Sequence, residues 1–118
     1  MGTIADHIVD LGALNKAQTE LKLTDPEIAA TIGVDKTTLW RWRKELTTPR
    51  GIVRSRLSQI EELRHLLRQV FDGPDLARTW LREAHPQALG GTTTPLDAMR
   101  AGRIDRVLTV LEFLARGA

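Results

Sequence analysis

The twenty residues from Thr24 to Arg43, TDPEIAATIGVDKTTLWRWR, fit two helices around a tight turn and little else. Thr24 suits a helix N-cap, with Asp25 and Glu27 in the first turn, where the helix dipole favours carboxylates, and Pro26 near N2. Ile28 and Ile32 lie one turn apart and give this helix an inner face. Ala29 falls where two crossing helices approach most closely, which demands a small side chain. Gly33 then follows the last helical residue, at a position that closes a turn with positive φ free of Cβ strain. Val34 plugs the elbow and Asp35 caps the next helix. Leu39 and Trp42 bury one face of that helix, leaving Lys36, Thr37, Trp40, Arg41 and Lys44 on the other. A shift of one residue in helix phase exchanges the two tryptophans. This is the spacing of a helix-turn-helix.

Charge gives the motif a direction. From Lys36 to Arg56 stand seven basic residues, Lys36, Arg41, Arg43, Lys44, Arg50, Arg54 and Arg56, against the single acid Glu45, a net of +6. The whole chain carries only +2, so the remainder sums to −4. A second helix that opens the one basic block of an otherwise acidic chain points to the phosphate backbone of DNA. On this reading Lys36 and Arg41 reach base edges, Thr37 and Thr38 meet phosphate or thymine methyl, and Arg43, Lys44 and Arg50 neutralise phosphates. Trp40 shares the same face. One recognition helix spans few base pairs, so operator DNA predicts a homodimer, with the long helix from Ile52 to Phe71 as the leading surface because Leu66 and Phe71 widen its apolar stripe.

The rest of the chain reads as all-α, with no convincing alternating strand. A first helix from about Thr3 to Leu21 carries Ile4, Ile8, Leu11 and Leu14 at helical spacing, weakened in its middle by Gly12. Pro49 and Gly51 break the chain after the motif, separating a helix-turn-helix segment, 1–50, from a second segment, 51–118, either joined to it or packed with it as one unit. The long helix carries Val53, Leu57, Ile60, Leu63, Leu67 and Val70 on one stripe, and Asp72-Gly73-Pro74 ends it. A shorter helix is predicted from about Asp75 to Glu83, followed by an irregular run from His85 to Thr94. Thr94, Pro95 and Asp97 form a capping box that starts another short helix, and Gly102 stops it. The last helix, from Arg103 to about Arg116, has Ile104, Val107, Leu108, Leu111 and Leu114 on one face. Val110 and Phe113 widen its arc beyond what one core contact needs.

The run from Trp80 to Gly102, WLREAHPQALGGTTTPLDAMRAG, resembles the toxin-binding domain of the MbcA/ParS/Xre antitoxin family. The shared pattern is a Trp-Leu pair (Trp80, Leu81), then Pro86, Leu89 and Gly90, then Pro95 with an apolar residue and Asp97, then Gly102 before a final helix rich in Val and Leu. His85 departs from it, standing where Asn often precedes the proline. With the Xre-like helix-turn-helix, the resemblance covers roughly residues 13–116. It implies an antitoxin that represses its own operon and blocks a partner, commonly a RES-domain toxin that degrades NAD or transfers ADP-ribose from it. Locally, Gly90 and Gly91 permit positive φ, the two prolines stiffen the loop, and Trp80 can pack over the Pro86 and Pro95 region as a core residue of a helical hairpin.

The toxin surface is expected on the last helix, because its arc of Val107, Val110, Leu111, Phe113 and Leu114 is broader than a small module can cover. Arg116, Gly117 and Ala118 end the chain, and either enter the NAD-binding cleft of the toxin or fray. Nothing in the sequence points to catalysis. Gly90-Gly91 lacks the lysine and preceding strand of a phosphate loop, and His7, His65 and His85 share no ligand spacing, so no metal and no cofactor are expected. Glu61 and Glu62 point apart on a helix and suit surface ion pairs. The absence of cysteine is compatible with a reducing cytoplasm. No segment resembles a membrane span or a leader. Two other readings stand beside the antitoxin: a plain regulator whose second half dimerises or binds a small molecule, and an adaptor that no longer binds DNA.

Overall fold

The structure is a computed structural model that describes residues 3–45 and 51–117, with side chains from Gly12 to Lys44 and from Gly51 to Gly117. Leu46, Pro49, Arg50 and Ala118 lie outside the described residues, as do the side chains of Ile4, Ile8, Leu11 and Glu45. Among the described residues, eight helices follow in order: α1 (Thr3–Leu21), α2 (Asp25–Ile32), α3 (Lys36–Glu45), α4 (Ile52–Val70), α5 (Pro74–Leu81), α6 (Pro86–Leu89), α7 (Pro95–Arg100) and α8 (Ile104–Ala115). No strand occurs among the described residues. The all-α reading holds.

Local chemistry sets the boundaries. Thr24 and Glu27 form a reciprocal capping box: the Glu27 N–H donates to Thr24 Oγ1 (3.2 Å), and the Thr24 N–H to Glu27 Oε1 (2.8 Å). Two otherwise orphaned amides at the start of α2 are thereby satisfied. Gly33 sits at φ +83°, and its N–H and that of Val34 both donate to the Ala29 carbonyl at 2.9 Å. An L-residue there would meet the left-handed region, so glycine makes the tight turn possible. Asp35 then accepts the Thr38 N–H at 2.6 Å to start α3. Thr94 and Asp97 repeat the capping box at α7.

The segment from His85 to Thr94, expected to be irregular, contains one short turn of helix, α6. Proline at its first position costs no hydrogen bond, and the Leu89 N–H closes back on the His85 carbonyl at 2.8 Å. Leu89 is carried inward, 7% exposed.

One buried cluster runs through the whole assembly, joining Leu14, Leu21, Ile28, Ile32 and Leu39 to Ile60, Leu63, Leu67, Leu81, Met99, Ile104 and Leu111. The helix-turn-helix and the C-terminal helices thus share a core. α4 lies at its centre, packed most extensively on α8 and also on α1, while α7 docks against α2. Burying such stripes from both segments is the main stabilising term.

Arginines from the second half reinforce the junction. Arg68 chelates Glu20 of α1 (2.6–3.2 Å), Arg78 Nε donates to the Glu20 carbonyl (2.7 Å), and Arg82 reaches both Glu27 oxygens (3.1 and 3.2 Å) and the Lys22 carbonyl (3.1 Å). The α4 surface expected to pair two copies is largely used inside the monomer. Leu66 and Phe71 are half-buried against the core because α4 is flanked by α1, α5 and α8. Among the large apolar residues of α4, Ile52 is the one that stands well exposed.

Candidate functional site

Two surfaces carry the expected functional residues. The first is the outer face of α3. Leu39 is fully buried and Trp42 half-buried against the core, which fixes the helix phase. Lys36, Thr37, Arg41 and Lys44 are consequently exposed, and Trp40 is 58% exposed. The Lys44 ammonium lies 4.9 Å from the centre of the Trp40 ring, a cation–π contact that orders both side chains. Thr38 is half-buried and spends its N–H on Asp35. That bond, the Thr38 hydroxyl and the nearby Arg41 hold the Asp35 carboxyl below its ordinary 3.8, so the cap stays charged.

Arg43 departs from its expected role as a phosphate neutraliser. Its guanidinium donates to Asp25 Oδ1 at 2.9 Å and to the Gln18 side chain, and its Nε is buried without a partner. Gln18 also donates to Asp25 at 2.7 Å. Gln18 first, then Arg43, keep the Asp25 carboxyl below 3.8. Arg43 is therefore a strut tying α3 to α1 and α2. Its partners lie 18 and 25 residues away, so no local pattern signals them. Arg50, the remaining expected phosphate contact, lies outside the described residues.

The second surface is a groove of about 480 Å³ walled by Trp80, Ala84, His85, Pro86, Gln87 and Ala88 on one side and by Val110 and Leu114 of α8 on the other. Trp80 stands at its margin. Half-buried rather than enclosed, it stacks on His85 (4.9 Å between ring centres, 30° between planes) and tilts against Phe71 (5.7 Å, 44°). His85 Nε2 and the Trp80 carbonyl lie 2.9 Å apart, so the histidine ties the loop back to α5. Leu81, Leu89 and Pro95 are buried, and Gly102 ends α7 at φ +80°.

Here the expected partner surface needs a correction. Val107 and Leu111 are 0% exposed, because α8 turns them into the contact with α4. They cannot touch a partner while the core is intact. Phe113 (56% exposed), Leu114 (38%) and the half-buried Val110 make up the accessible apolar strip. Arg116 and Gly117 are exposed, with Arg116 facing Glu112 of its own helix at 3.7 Å, and Ala118 lies outside the described residues.

The second surface lies within a stretch that matches a known family. Residues 66–117 match the C-terminal toxin-binding domain of the Xre/MbcA/ParS antitoxins. The family match is confined to this C-terminal domain. The fold as a whole is similar to a chain in the crystal structure of the M. tuberculosis MbcT–MbcA toxin–antitoxin complex, with a TM-score of 0.67 and 23% identity. That alignment covers 90% of this chain and 93% of the other, so the likeness in fold includes the helix-turn-helix as well as the toxin-binding domain. Among curated protein sequences, none matches significantly. No helix among the described residues is long and apolar enough to cross a membrane.

Proposed function

We propose that the protein is an antitoxin that neutralises a RES-domain, NAD-consuming or ADP-ribosylating toxin by direct binding and represses its own operon through the helix-turn-helix. The observation that carries this reading is the apolar strip of Val110, Phe113 and Leu114 beside the Trp80–Pro86 groove, left uncovered within a toxin-binding domain. A strip of that kind is where a partner gains from excluding water. The neighbouring solved structure is a toxin–antitoxin complex, which supports a protein toxin as the occupant.

The DNA half of the proposal rests on the outer face of α3. Lys36, Thr37, Arg41 and Lys44 are exposed on a helix held rigidly by Leu39, Asp35 and the Arg43 strut. Arg41 can read guanine through paired donors, whereas Lys44 supplies a point charge to phosphate. The reading includes a homodimer, which lets two such helices meet successive turns of operator DNA. Like other such repressors, the protein would act in the cytoplasm.

The test is co-production with a RES-domain toxin. The full chain should restore growth, and deletion of Leu114–Ala118 should abolish that protection while operator binding persists. Protection by the truncated chain would remove the α8 end from the toxin interface.

A further inference from the structure

Trp40 is the residue on the α3 face that phosphate contact does not explain. The core already takes Leu39 and Trp42 from this helix, and a 58% exposed indole adds little to it. The ring is nevertheless held in place, with Lys44 over it at 4.9 Å. It forms one wall of a groove of about 470 Å³ completed by Lys36 and Thr37 of α3 and by Asp25 and Pro26 at the start of α2. The charge of Asp25 is engaged by Arg43 at 2.9 Å, and the exposed side chains of Lys36, Arg41 and Lys44 outnumber the one other acid described at this face, Asp35.

The chemistry of the major groove limits what an indole can read there. Base edges present hydrogen-bond donors and acceptors, and one apolar group, the 5-methyl of thymine. Indole offers a single donor and no acceptor, so it cannot match the paired pattern of a purine edge. Its ring face and the Pro26 ring instead provide an apolar seat flanked by positive charge. We infer that Trp40 is a specificity-determining residue that reads a thymine 5-methyl in the operator, an inference resting on the DNA-binding role proposed for α3.

The probe is a duplex selected from a random-sequence library by the full-length protein. Each thymine is then replaced singly by deoxyuridine, which removes only the methyl group. Wild type should lose about fourfold in affinity at one or two positions, the value of burying one methyl-sized group. Trp40→Ala should bind the thymine and deoxyuridine duplexes equally at those positions, whereas Arg41→Ala should retain the difference. Because Trp40 is exposed, the alanine variant should melt close to wild type, and Trp40→Phe should restore part of the discrimination. Sensitivity to deoxyuridine that persists in Trp40→Ala would assign the methyl to Thr37 or Thr38 and overturn the inference, as would its absence in wild type. If wild type selects no sequence at all, the DNA-binding role itself fails, and the assignment of Trp40 with it.

Discussion

Replacing Glu27 by alanine tests whether one carboxylate both starts α2 and joins the two halves of the chain. The substitution deprives the Thr24 N–H of its 2.8 Å acceptor and leaves the Arg82 guanidinium without either carboxylate oxygen. Losing half of the capping box costs about 0.5–1 kcal/mol. The ion pair adds a similar amount at most, since the Glu27 side chain is 14% exposed but Arg82 is 44% exposed and screened by solvent. The variant should therefore lose about 0.5–2 kcal/mol, or about 2–8 °C in melting temperature for a chain of this size. Arg82→Ala should lose less, because it removes the pair and the bond to the Lys22 carbonyl but spares the cap. Urea unfolding of the two single variants and the double variant gives the coupling, expected at about 0.5–1 kcal/mol. Full additivity, or a larger loss from Arg82→Ala than from Glu27→Ala, would refute this account of the junction.

Further outcomes follow from the same structure. Glu20 is held below its ordinary 4.5 chiefly by Arg68, Glu61 by Arg64, and Glu27 by Arg82 and the Thr24 N–H against the upward push of burial. Carboxylates with depressed folded values stabilise above their unfolded value and lose that contribution as pH falls through the folded one. Unfolding free energy from urea titrations should hence stay level down to about pH 5 and fall below 4.5. Leu111→Ala, at a fully buried site, should cost about 2–5 kcal/mol, read by thermal melting. In DNA titrations Arg41→Ala should cost about 1–3 kcal/mol and relax sequence preference, whereas Lys44→Ala should weaken all sequences alike and flatten the salt slope.

Much of the fold was legible because its signals are local. Thr24, Gly33, Asp35, Thr94 and Asp97 each satisfy or terminate a helix within a few residues, so spacing alone places α2, α3 and α7. The apolar stripes of α4 and α8 follow from periodicity in the same way. What sequence could not divide was the use of those stripes. The arc of α8 is wider than one contact needs, but only the docking of α4 shows that Val107 and Leu111 face inward and Phe113 outward. Leu66 and Phe71 gave the same ambiguity on α4, and neighbouring helices resolved it toward the core. Arg43 read as a free cation because its partners lie on α1 and at the start of α2, distant in sequence. The α6 turn was hidden by Pro86 and the two following glycines, which mark breaks more strongly than they mark one turn of helix.

The most direct measurement of the central claim is toxin protection and operator binding by a chain carrying Phe113→Glu. Phe113 is 56% exposed and lies outside the core, so the change should leave thermal stability near that of wild type. It places a charge in the apolar strip beside Val110 and Leu114, where a bound partner would have to desolvate it. With the partner proposed above, the account predicts loss of growth protection against a RES-domain toxin together with unchanged affinity for operator DNA. Full protection by Phe113→Glu, in cells producing the toxin, would contradict it.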